Sequence, residues 1–93
     1  MRIELAPSAR QQFFSAIRYI RTEKPSASAA FNRKADGTLS RLIDYPESCH
    51  PVPEFPDSDC RQVIVKSYRF FYQVRGDVIW VFGVWHGAQL PET

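Results

Sequence analysis

Tyr68-Arg69-Phe70-Phe71-Tyr72-Gln73-Val74, then Arg75-Gly76-Asp77, then Val78-Ile79-Trp80-Val81-Phe82-Gly83-Val84-Trp85-His86-Gly87, is the stretch that decides the architecture. Successive side chains on a strand point to opposite faces, so Tyr68, Phe70, Tyr72 and Val74 share one face. Arg69, Phe71 and Gln73 take the other. Gly76 is free to adopt positive φ and predicts a hairpin turn. Val78 to Trp85 is a nearly continuous run of β-branched and aromatic residues. Such a run predicts a strand buried on both faces, at the centre of a sheet. Immediately upstream, Arg61 to Lys66 alternates, with Val63 and Val65 on one side, and predicts a neighbouring strand.

Working outward, residues 46–60 contain Pro46, Pro51, Pro53 and Pro56 with little apolar content, which predicts a loop. A loop of that length in a small domain is usually functional or mobile. Before it, Ala27, Ala30, Phe31, Ala35, Leu39, Leu42 and Ile43 keep helical spacing. This second helix should stop near Tyr45, because Pro46 disfavours a helical residue before it. Gly37 lies inside the run, at a cost of roughly 1 kcal/mol relative to Ala, and suggests a bend or a close helix contact. An earlier helix is predicted from Ser8 to about Arg21, with Pro7 at its first position and Ala9, Phe13, Ala16, Ile17 and Ile20 on its apolar side. Thr22 to Ser26 is a short break, in which Ser26 either caps the second helix or lies in its first turn. The two helices are expected to form an antiparallel hairpin. Arg2-Ile3-Glu4-Leu5 alternates as a short N-terminal strand.

The order strand, helix, helix, loop, strand, strand, strand predicts an α+β two-layer domain over residues 1–93. A helical hairpin covers one face of a mainly antiparallel four-stranded sheet, and the other face, which carries Arg69, is left open. At 93 residues a two-domain enzyme, a dinucleotide-binding fold and a barrel are excluded on length. No apolar run approaches the ~20 residues needed to cross a bilayer. Met1-Arg2-Ile3-Glu4 lacks the apolar core of a signal peptide, so a cytoplasmic location is expected. The net charge of +2 hides a segregation. Residues 1–43 carry net +5, residues 44–60 carry five acids and no base, and residues 61–93 carry net +2. The acidic strip argues against simple coating of nucleic acid. It is expected either to fold back onto the basic helices or to remain a solvated loop. Cys49 and Cys60 form no disulfide framework, and with His50 they match no zinc spacing, so neither metal nor cofactor is expected.

The hairpin residues resemble the RelE/ParE toxin superfamily, whose recurring pattern is Tyr-Arg-x-x-Tyr-x-Val, a turn, and an apolar strand ending in His-Gly-x-Arg. Tyr68-Arg69-Phe70-Phe71-Tyr72-Gln73-Val74 and the run ending in His86-Gly87 follow it. The β-α-α-β-β-β order and the Pro-containing break between helices are also similar. The resemblance implies the toxin of a type II toxin–antitoxin module, neutralised by a cognate antitoxin and assembling with it as a hetero-oligomer. RelE-like members cleave messenger RNA on the ribosome, whereas ParE-like members bind and poison DNA gyrase.

Metal-free ribonuclease chemistry needs activation of the 2′-OH, cations around the phosphorane-like transition state and an acid for the leaving oxygen. On that reading Arg69 is the transition-state cation and His86 the acid or base. The departures oppose it. No tyrosine follows His86, and Gln89 stands where the family often has arginine, so a neutral amide replaces a guanidinium. The ParE-like branch, which has no accepted nuclease site, is therefore favoured. Its implied target contacts are Arg61, Lys66, Arg69, His86 and Gln89, and its antitoxin contacts Arg10, Phe14, Arg18 and Arg21. The alternatives are a ribosome-dependent endoribonuclease and an attenuated, non-toxic binding module whose expression is harmless. Plainer roles stand beside these. Arg69 suits a structural ion pair, His86 a satisfied strand-end histidine, the sheet aromatics a packed core, and the helix-one arginines a solvated face.

Overall fold

The computed structural model describes residues 1–55 and 57–87. Its elements are β1 (Arg2–Leu5), α1 (Pro7–Glu23), α2 (Pro25–Asp44), β2 (Arg61–Val65), β3 (Tyr68–Arg75) and β4 (Val78–His86). This is the β-α-α-β-β-β order predicted from the sequence. The sheet order is β1-β4-β3-β2, with β2, β3 and β4 antiparallel and β1 parallel to β4. Each helix starts with proline, where the missing N–H costs nothing, and neither has a side-chain cap. Lys24 alone separates the helices, in extended conformation at φ −160°. Ser26 thus lies in the first turn of α2 rather than at its cap.

The helices pack on one face of the sheet. Ala9, Ala16, Phe31, Ala35, Leu39 and Leu42 meet Val65, Phe70, Tyr72, Ile79, Val81 and Val84 in one buried cluster. Phe13 packs edge-on against Phe70 with centroids 5.8 Å apart, and Phe31 lies 5.4 Å from Tyr68. At roughly 1.5–3 kcal/mol per fully buried large side chain, this cluster is the main source of stability.

Two expectations need correction. β4 is central, but its second face is only half-buried, at Trp80, Phe82 and Trp85. The strand is also not regular. The register slips between Phe71 and Tyr72, so Phe82 is an extra residue, and it stacks on Phe71 at 6.2 Å. Gly37 marks no close helix contact: it is exposed, and a Cβ there would meet nothing within 4 Å.

The face predicted to be open is covered in part: Arg69 and Phe71 on β3 are buried, while the β4 side stays half-exposed. The acidic segment after α2 neither folds onto the basic helices nor stays a free loop. Pro51 bridges Arg61 across the edge of β2, with Val52 N–H donating to Cys60 O and Gln62 N–H to His50 O. Val52 is fully buried, outside the main cluster. From there the segment reaches across the sheet, where Gln73 donates to Asp59 at 3.1 Å and Arg69 binds Glu54. By this antiparallel pairing Cys49 falls on the helix side of the sheet and Cys60 on the opposite side, and both are free thiols.

Candidate functional site

Arg69 sits on β3 opposite Trp85 and Ile64. It is only 8% exposed and is the one buried charged residue among those described. Two features of the sheet itself fix the guanidinium: Nε donates to Gln62 Oε1 at 2.8 Å, and the carbon lies 4.9 Å from the Phe71 ring centroid. Its remaining fork donates to both oxygens of Glu54, Nη1 at 2.8 Å and Nη2 at 2.6 Å. This is the planar, bidentate geometry that arginine makes with carboxylates. The Arg69 hydrogen bond holds the Glu54 carboxyl below its ordinary value, and Glu54 in turn raises Arg69.

His86 pairs with Tyr68 across β3 and β4, their rings edge-to-face at 5.4 Å. Since Arg69 pairs with Trp85, one residue on, Arg69 and His86 face opposite sides of the sheet. The fold does not bring these two together. His86 instead belongs to the rim of two grooves that also share Tyr19 and Tyr68. One, of about 720 Å³, runs beside α1 past Gln11, Gln12, Ser15 and Arg18. The other, of about 280 Å³, lies between the helix ends and holds Ala27, Phe31 and Lys66. Burial, and then the neighbouring Tyr19, raise the Tyr68 phenol above its ordinary value.

Lys66 joins β2 to β3 in a left-handed conformation, φ 57°, and is exposed. Arg61 opens β2 opposite Tyr72, on the helix side of the sheet, away from Arg69. It donates to the carbonyls of Glu47 and Cys49, and so clamps the acidic segment. Gln89 lies outside the described residues. Arg10, Phe14, Arg18 and Arg21 form one exposed stripe along α1, as their spacing requires. Phe14 is 55% exposed and lines a third groove with Leu5, Pro7 and Arg10. Three residues around these sites were not picked out from the sequence. Glu54 was one acid among five. Gln62 is an unremarked strand position. Gln12 accepts a hydrogen bond from the Val84 N–H, capping β4 where it runs past the end of β1.

The sequence matches the family described as ParE toxin of type II toxin–antitoxin system, parDE, over residues 3–91. The chain belongs to the ParE toxin family. The ParE branch favoured from Gln89 and the strand pattern is thus the one the family match supports. A search of curated proteins found no match. Among solved structures, a chromosomal ParDE toxin–antitoxin system from P. aeruginosa aligns with a TM-score of 0.76. That alignment has 10% sequence identity and covers 92% of this chain and 95% of the other. At that identity the likeness is one of fold: two helices on a four-stranded mixed sheet.

Proposed function

We propose that this ParE toxin acts in the cytoplasm by binding DNA gyrase, that it leaves cleaved DNA behind, and that a cognate antitoxin neutralises it. The observation that carries the reading is the family match over nearly the whole chain. The placement of Arg69 and His86 on opposite faces supports it further, because a metal-free nuclease needs cation and acid–base group around one phosphate. The target contacts proposed are Arg61, Lys66, Arg69, His86 and Gln89, with Lys66 and His86 meeting at one groove. The antitoxin is proposed to cover Arg10, Phe14, Arg18 and Arg21, a stripe with an exposed aromatic between cations. Partly disordered segments wrap such surfaces and fold on binding.

The test is a supercoiling assay with the purified chain. Loss of supercoiling, restored by the antitoxin, is expected. Full supercoiling at excess toxin would overturn the reading. Arg69→Ala is expected to reduce growth inhibition in cells, and undiminished inhibition by a folded variant would remove Arg69 from the contact set.

A specific observation keeps the ribonuclease reading as the second. The two grooves at His86 carry Arg18 and Lys66 with two phenols, and among the described residues none that lines them is a carboxylate. His86→Gln separates the readings. Gyrase poisoning, for which His86 is one contact among several, would be weakened but kept, while ribosome-dependent mRNA cleavage, for which it is the acid or base, would be lost.

A further inference from the structure

We propose that the Arg69 fork is a carboxylate-receiving site, which the free chain fills with its own Glu54, and that residues 50–55 form a latch which swings away when a protein partner brings its own carboxylate. The two halves of the pair are held unequally. The receptor half is built into the sheet. Arg69 lies on β3 between β2 and β4, its Nε is fixed by Gln62 and its plane by Phe71. These supports do not involve Glu54, so the fork stays aimed when Glu54 leaves. The occupant half stands on a short segment that is buried at Val52 and exposed at His50, Pro51, Pro53 and Glu54. The Glu54 side chain is 28% exposed against 10% for Arg69. Pro53 and Glu54 are both exposed, and among the described residues the segment's main-chain ties are the bridge at Pro51, with its bonds from Val52 N–H to Cys60 O and Gln62 N–H to His50 O, and the turn bonds from Phe55 N–H to Val52 O and Ser58 N–H to Phe55 O.

The chemistry of the occupant names the chemistry of its competitor. A bidentate guanidinium fork over an aromatic ring selects a planar carboxylate, from an Asp or Glu side chain or a chain terminus. A partner carboxylate gains a preorganised arginine and displaces a carboxylate that returns to water. The net gain is small, so the contact discriminates between partners more than it strengthens binding. Unlatching also exposes Val52, which is fully buried in the closed form. The proposal deepens the reading that Arg69 contacts the toxin's target, but its first two tests do not depend on that reading.

The experiment is amide hydrogen exchange by NMR on the full chain, wild type and Glu54→Gln. In the wild type, Val52 and Gln62 amides, which bridge the latch to β2, should exchange at least ~100-fold faster than the amides of Phe70 and Tyr72, as separately opening units do. In Glu54→Gln they should speed up by a further ~10-fold with β3 unchanged. Exchange of Val52 and Gln62 at the β3 rate would overturn the latch. So would unchanged exchange in the variant, or loss of the native spectrum, because Glu54 would then be an integral part of the fold. In Glu54→Gln, sodium acetate should shift the Arg69 Nε–H resonance saturably while sodium chloride at equal ionic strength does not. An identical response to both salts would overturn the carboxylate site. Finally, Glu54→Gln should inhibit supercoiling at lower concentration than the wild type, and equal or weaker inhibition would overturn the competition. Absence of inhibition by both would instead overturn the gyrase reading, leaving exchange and acetate to judge the latch.

Discussion

Tyr72 shows how a single side chain ties the layers together. It is fully buried, and its hydroxyl donates to Pro46 O at 3.0 Å, at the point where the acidic segment leaves α2. Tyr72→Phe should therefore cost about 1 kcal/mol, the net value of one hydrogen bond, with the carbonyl left without this donor. Chemical denaturation at neutral pH measures it. Burial, with the Cys49 thiol beside the ring, pushes this phenol well above its ordinary value of 10.0. The native state thus holds the phenol proton more tightly than the unfolded chain does. The associated stability is complete below pH 10 and is lost as pH rises above it toward the folded value. Glu54 acts in the opposite sense. Its folded value lies below 4.5, so its contribution is complete above that pH and is lost as pH falls through the folded value. Denaturation midpoints should fall at both the acid and the alkaline end. In Tyr72→Phe the alkaline fall should shrink, and in Glu54→Gln the acid fall should shrink.

Two glycines make opposite predictions because their elements place them differently. Gly37 is an exposed residue within α2 with open space where a Cβ would go. Gly37→Ala should raise stability by roughly 0.5–1 kcal/mol through helix propensity and reduced unfolded-state entropy. Gly83 on β4 is the reverse. A Cβ there would lie 2.9 Å from Trp85 Nε1 and 3.3 Å from Phe71 Cδ2. Gly83→Ala should cost about 1–3 kcal/mol by overpacking, and it should disturb the aromatic face around Arg69. Thermal melts of both variants check the signs. The elements themselves were legible in the sequence because each has a strong local signal. Pro7 marks the start of α1, helical spacing carries α1 and α2, and alternation from Tyr68 to Val74 assigns the core face correctly, whereas the break read as Thr22 to Ser26 narrows to Lys24 because α1 runs on to Glu23 and Pro25 opens α2. The Phe82 bulge was not legible, because the nearly continuous apolar run from Val78 to Trp85 contains no marker of an inserted residue.

The whole molecule is a two-layer toxin fold whose second sheet face is partly covered by its own acidic segment. That covering decides which functional groups are presented, and it was beyond reach of the sequence. Glu54 and Arg69 are 15 residues apart, and nothing local distinguishes Glu54 from Asp57 or Asp59. Arg61 was equally ambiguous, since alternation alone does not say that its fork turns to the carbonyls of residues 47 and 49. The separation of Arg69 from His86 follows from one step of register, which only the paired strands fix. The family was legible because its signature lies in the β3–β4 hairpin, where residue type and spacing are both constrained.

The direct measurement is accumulation of cleaved DNA by purified gyrase with this chain, with and without its antitoxin. Linear DNA that rises with toxin and disappears on adding antitoxin is the result predicted. Intact DNA at all toxin concentrations, together with messenger RNA cleavage on ribosomes, would contradict it.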